Sequence, residues 1–200
     1  MILLNTSAEN IFWLGRYISR IQYLCHQFPF KKDDQAIQYA QAFCWPAFDA
    51  TSLNELVLDE NHPASFKQQF VCTKDNIHSL RGVLTAYGYA ELNKLIAVAS
   101  ENPSYICDVV GECLDVLEAE SHDVFLFFKL GQNIEQIDRL IRLKLDITEA
   151  LQELSIVITL LEDLGWGAIT EAWDRLLSQK NADNFYEFSD CIHQMFEVDA

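Results

Sequence analysis

FWLGRYISRIQYL at residues 12–24 and FKLGQNIEQIDRL at residues 128–140 are two copies of one pattern. Six of the thirteen positions are identical: Phe12/Phe128, Leu14/Leu130, Gly15/Gly131, Ile18/Ile134, Ile21/Ile137 and Leu24/Leu140. Leu14, Ile18 and Ile21 fall on one stripe of a helix, as do Leu130, Ile134 and Ile137. Glycine inside a helix costs about 1 kcal/mol relative to alanine, so its placement at the same point twice needs a cause. Close backbone approach supplies one. The pattern predicts two like helices, near 6–28 and 121–145, crossing at Gly15 and Gly131 about a pseudo-twofold axis.

The rest of the chain suits an all-α fold. Half of its 200 residues are hydrophobic and 12% are aromatic, enough to bury a core and far from the composition of a disordered chain. Gly (7) and Pro (4) are too few for the turns of an all-β fold. A formal charge of −16 and a pI near 4.5 repel phosphate backbones and anionic membrane surfaces, so neither nucleic acid nor membrane is expected as a partner. The N-terminus, MILLNTSAEN, lacks the basic leader and long apolar core of a signal peptide. The longest aliphatic run, around Ile156–Leu161, is far short of a membrane span. Six cysteines without a CxxC pair are expected to be buried thiols of a cytoplasmic protein.

Helix signals predict one domain, 1–200, folded as a bundle of seven to nine helices. Thr6-x-x-Glu9 reads as a capping box opening a helix that Pro29 stops after Phe28. A helix near Asp33–Cys44 follows, then short pieces near Leu53–Leu58 and Ser65–Val71, the second opened by Ser65-x-x-Gln68. Thr73 is expected to cap a long helix reaching Ser100, with Gly82 and Gly88 as points of close packing. Helices at 105–119, 121–145 (capped by Ser121), 148–163, 169–179 and 183–197 complete the bundle, with Gly165-Trp166-Gly167 as a break.

Charged residues are interleaved with aromatics on the first helix: Glu9, Arg16 and Arg20 share a sector with Trp13, close to Phe12 and Tyr23. That mixture suggests a helix covered on both sides around a partly buried polar cluster, against the alternative of an ordinary exposed face. The second copy carries Gln132, Glu135, Gln136, Arg139 and Arg142 on its polar side, where Glu135 and Arg139, spaced i, i+4 in the favourable order, read as a plain surface ion pair. No cofactor is implied, for there is no Gly-rich phosphate loop and no nucleophile elbow. No metal is implied either, because none of the five histidines follows a glutamate by three residues, as a bundle dimetal site requires. Glu118 and His122 are spaced i, i+4 but straddle an expected helix boundary.

AENIFWLGRYISR (8–20) resembles the opening signature of the bacterial alpha-E domain family, an all-helical family named for its Glu-Arg pairs. NIHSLRGVLTAYGYAELN (76–93) resembles its second motif and FFKLGQNIEQID (127–138) its third, in the family's order. The resemblance implies ligand-gripping roles for Glu9, Asn10, Arg16, Arg20, Asn76, Arg81, Asn93 and Glu135. It also implies protein partners, either circularly permuted ATP-grasp ligases or transglutaminase-like proteins, and a setting in the formation or modification of peptide or other amide bonds. Departures are many: the family pattern has glutamate at Ser19 and Gln22, arginine at His78, Gln132 and Gln136, and glutamate and tryptophan at Tyr87 and Tyr89.

Three functions follow. One is a non-catalytic helical partner of an ATP-grasp-type ligase. Another is an enzyme or substrate-binding component using Glu9 or Glu135 as base and Arg16, Arg20 or Arg81 as anion clamps. The third is a structural or homo-oligomerisation module without a small ligand, whose Glu9–Arg16–Arg20 sector faces solvent.

Overall fold

The structure, a computed structural model, describes residues 3–101 and 105–197, without the side chains of Ser100 and Glu101. Among the described residues all regular structure is helical, in ten α-helices: α1 (Asn5–Gln27), α2 (Asp33–Ala42), α3 (Ala50–Leu58), α4 (Phe66–Ser79), α5 (Ala86–Glu101), α6 (Ile106–Glu118), α7 (His122–Arg142), α8 (Thr148–Asp163), α9 (Thr170–Ser178) and α10 (Ala182–Glu197). A 3-10 turn, Gly167–Ile169, occupies the Gly-Trp-Gly break. Seven to nine helices were expected. The count is higher because α3 and α4, read as short pieces, are complete helices.

Local chemistry sets their ends. Asp49 caps α3 in a reciprocal box, accepting from the Ser52 N–H at 2.7 Å while the Ser52 hydroxyl accepts from the Asp49 N–H at 3.1 Å. Ser65 caps α4 by accepting from the Gln68 N–H at 3.2 Å, as its spacing predicts. Three other expected caps do not form. α1 begins at Asn5 with Leu4 as N-cap, so Thr6 and Glu9 lie inside it and make no capping box. Ser121 precedes α7 without a side-chain cap. Thr73 is buried in the middle of α4, where its hydroxyl donates to the Gln69 carbonyl at 3.1 Å within a continuing helix.

The expected helix from Thr73 to Ser100 is therefore two helices with a turn between them. Thr85 caps α5, its hydroxyl accepting from the Gly88 N–H at 3.0 Å. Glu120 secures the same corner, accepting from the Thr85 N–H at 3.0 Å and from its hydroxyl at 2.7 Å. Gly88 is closely packed, since a Cβ there would meet Glu120 and Thr85, but Gly82 has open space around it.

α1 and α7 form the central pair. α4, α6 and α10 pack on α1, and α8 packs on α7. Ile11, Leu14, Ile18 and Ile21 of α1 meet Leu130, Ile134 and Ile137 of α7 in one continuous apolar cluster. α10 closes the pair at one end, with Phe196 against Phe12 and the His193 ring stacked on Trp13 at 5.3 Å. α1 is thus covered on both sides. Cys25 of α1 and Cys107 of α6 form a disulfide, their Cα atoms 5.4 Å apart. This overturns the reading of six buried thiols. Of the others, Cys44 is exposed, Cys72 and Cys191 are half-buried, and Cys113 is buried, where desolvation pushes its thiol up to about 12.

Candidate functional site

The twin helices meet where the sequence placed its glycines. A Cβ on Gly15 would press into the Phe128 carbonyl oxygen and stand 3.1 Å from the Gln132 nitrogen. One on Gly131 would press into the Phe12 carbonyl oxygen and stand 3.1 Å from the Arg16 nitrogen. Phe12 corresponds to Phe128 and Arg16 to Gln132 in the repeat, so the contacts are reciprocal, as across a twofold interface. Contacts then climb in step along both helices, from Gly15–Gly131 to Arg20–Glu135 and to Tyr23–Arg139. The pair therefore runs side by side in the same direction.

One flank of the pair is ionic. Glu135, 1% exposed, accepts from Arg16 Nε at 3.0 Å and, on both oxygens, from Arg20 Nε at 2.6 Å and Nη2 at 2.8 Å. Burial alone would push its carboxyl up. The Arg20 and Arg16 charges and hydrogen bonds override that and hold it below the ordinary carboxylate range. Burial would likewise lower Arg20, but Glu135 reverses the shift and holds the guanidinium above its usual value. Asp138, also buried, continues the network: Arg142 Nε lies 3.0 Å from each of its oxygens, Arg16 Nη2 lies 3.7 Å away, and the Tyr186 hydroxyl donates at 3.2 Å. Aromatic faces back the cations, with Arg16 over Trp13 at 5.2 Å and Arg142 over Phe43 at 5.7 Å. A cavity of about 300 Å³ opens beside Arg20, Asp138 and Arg142, walled by Phe43 and Trp45.

Arg16, Arg20 and Glu135 converge, whereas the expected surface pair of Glu135 with Arg139 does not form because Glu135 is buried against Arg16 and Arg20; the other candidates stand apart. Arg81 is exposed in the turn between α4 and α5. Asn10, Asn76 and Asn93 each donate to a carbonyl one turn back on their own helix: Thr6, Cys72 and Tyr89, at 2.8, 2.8 and 2.7 Å. Glu9 is half-buried and makes no ion pair among the described residues, though its charge acts on His193. No group of three His, Cys, Asp or Glu side chains is placed to hold a metal among the described residues. Glu118 ends α6, where it pairs with Lys129 at 2.6 Å, while His122 begins α7.

Residues 3–187 match the family model Alpha-E, described as "a predicted alpha-helical domain with a conserved ER motif". The chain belongs to the Alpha-E family. No curated protein and no solved structure matches it. In this Alpha-E chain the repeat sets Ser19-Arg20 against Glu135-Gln136, so each copy holds one half of a Glu-Arg pair. Arg20 and Glu135 bind each other across the crossing.

The opposite flank is the pseudosymmetric mate of the ionic one. Arg16, Arg20, Glu135, Asp138 and Arg142 correspond through the repeat to Gln132, Gln136, Ser19, Gln22 and His26. All five of these mates line a second cavity, of about 310 Å³. This Alpha-E chain thus has its buried ion pairs on one flank only; at the five mate positions the other flank carries Gln132, Gln136, Ser19, Gln22 and His26, with Lys129, Arg139 and Glu153 also lining the open space. Asp138 and Arg142 were not singled out as site residues from sequence. Helical spacing would have found them, since they stand three and seven residues beyond Glu135, about one and two turns along the same flank.

Proposed function

We propose that the chain is a non-catalytic helical partner, or accessory subunit, of an ATP-grasp-type ligase or transglutaminase-like protein acting in peptide or amide bond formation or modification. The observation carrying this reading is the state of Glu135. Three short hydrogen bonds from two arginines keep it ionised, which makes it a poor general base at neutral pH. The cluster serves better as a lock on the helix crossing than as a proton-transfer site. Arg81, the further clamp of the enzymatic reading, lies exposed in another part of the fold. The solvent-facing sector of the structural-module reading is also disfavoured, because Arg16 and Arg20 are drawn into buried ion pairs.

The expected cytoplasmic setting rested on six free thiols and loses that support with the Cys25–Cys107 disulfide. No helix among the described residues is long and apolar enough to cross a membrane. Co-expression with an ATP-grasp-type ligase encoded beside it tests the partnership. A shared peak on a sizing column at micromolar concentration supports it, and separate elution of the two proteins rejects it. The same column reads whether the chain alone forms a homo-oligomer.

A further inference from the structure

The flank opposite the buried ion pairs has the chemistry of a binding site that the ionic flank lacks. On the ionic side each guanidinium has its carboxylate. On the other side Arg139 is half-buried, shares its cavity with Glu153 and Lys129 but makes no ion pair or side-chain hydrogen bond with any described residue, and its guanidinium carbon lies 3.9 Å from the centre of the Tyr23 ring. Stacking occupies the face of a guanidinium and leaves its N–H edge free to grip an anion with two parallel bonds. Desolvation lowers Arg139, with no carboxylate bonded to it to restore the shift. Two amide side chains line the same cavity, and one of them carries an unmatched acceptor. Gln132 Oε1 is buried without a hydrogen-bond partner. Asn133, 7% exposed, makes no side-chain hydrogen bond with any described residue. A buried acceptor without a donor is costly, so Gln132 Oε1 favours a ligand that donates to it.

The geometry points to a short ligand with a carboxylate at one end and N–H donors behind it, lying along α7 in the 310 Å³ cavity. Gln132, Gln136 and Arg139 fall at i, i+4 and i+7 on one stripe, spanning about 10 Å of helix at about 1.5 Å per residue. The carboxylate takes the Arg139 fork. The ammonium or amide N–H group donates to Gln132 Oε1, and Gln136 and Asn133 line the stretch between. A ligand of one or two amino-acid residues, at about 3.5 Å per residue, covers this span once side-chain reach is added. The volume lies at the small end of ligand pockets, about 300–1,000 Å³. Free amino acids and the C-terminal residues of peptides share this chemistry. The inference concerns the chain by itself and stands or falls independently of any ligase partnership.

Calorimetric titration of the full chain tests it with three probes: L-alanyl-L-alanine, its C-terminal amide, and L-alanine. Saturable binding of the dipeptide, at least tenfold weaker for the amide, is the expected result. Equal binding of L-alanine assigns the cavity to free amino acids, and tenfold weaker binding assigns it to peptide C-termini. Gln136→Glu places a carboxylate three residues before Arg139, where it satisfies the guanidinium internally; it is expected to abolish binding while the circular dichroism spectrum stays unchanged. Gln132→Leu removes the unpaired acceptor and is expected to weaken binding severalfold without loss of thermal stability. No saturation by either carboxylate probe up to about 10 mM, where a specific site would be very weak, overturns the proposal. So does equal binding of acid and amide, or unchanged binding by Gln136→Glu.

Discussion

Glu135→Gln removes the charge that two arginines share and leaves the shape of the side chain almost intact. Removing one member of a buried ion pair costs about 3–5 kcal/mol, because the remaining charge stays buried without its counterion. Arg20 keeps 28% of its side-chain exposure and recovers some hydration, which places the expected loss near the lower end, about 3 kcal/mol. With a urea slope of about 2 kcal/mol/M, the unfolding midpoint falls by about 1.5 M at unchanged slope. The informative comparison is the triple variant Arg16→Gln, Arg20→Gln, Glu135→Ser, which copies onto this flank the residues that stand at the pseudosymmetric positions. Asp138 keeps Arg142 in that variant. Since no charge is stranded, the triple variant should lose only about 1 kcal/mol, less than the single one. Urea unfolding followed by tryptophan fluorescence reads both. A single-variant shift below about 0.5 M, or a triple variant at least as unstable as Glu135→Gln, refutes the idea that the surviving cluster acts as a matched set.

Acid should erase the same contribution. The Glu135 carboxyl is held below its ordinary value of 4.5 in the folded chain, so its stabilisation is complete above that value and is lost as pH falls through the folded value. The stability gap between wild type and Glu135→Gln, measured by urea titration across pH 3 to 7, should therefore narrow only below about 4.5. Gly131→Ala drives a Cβ into backbone that cannot give way and should cost about 3 kcal/mol or prevent folding, whereas Gly111→Ala, mid-helix in open space, should gain about 1 kcal/mol; thermal melts of the two variants check the contrast. Reducing Cys25–Cys107, which closes a loop of 82 residues, should cost about 4–5 kcal/mol on the chain-entropy account, read as a drop in melting temperature with dithiothreitol that the Cys107→Ser variant does not show.

The central helix pair could be read from sequence because its signal is local and repeated: an apolar stripe, a glycine at one fixed point, and a second copy of both. Arg16, Arg20 and Glu135 came with it, since they sit on the flanks of those two helices. Arg81 and the three asparagines lie away from that cluster, which the sequence did not show. Their motif resemblance carries residue types but not the break after Ser79, and that break turns Arg81 outward. Thr6 and Thr73 have the right residue types for caps. A threonine inside a helix can bond back to its own turn, so type and spacing alone do not mark a boundary. The Cys25–Cys107 link had no sequence signal at all, because pairing among six scattered cysteines depends on which helices become neighbours.

The parallel twin of α1 lies more than a hundred residues further along the chain, and this separation has a consequence for biosynthesis. At roughly 5–20 residues per second, α1 leaves the ribosome on the order of ten seconds before α7 is available to cover Gly15 and the Ile11–Ile21 stripe. During that interval a nascent greasy surface has to be sheltered by α4, by a chaperone or by the translating machinery itself. Folding speed should then be governed by this one distant encounter, and slowing the delivery of α7 should leave α1 open to aggregation rather than merely postpone the native state.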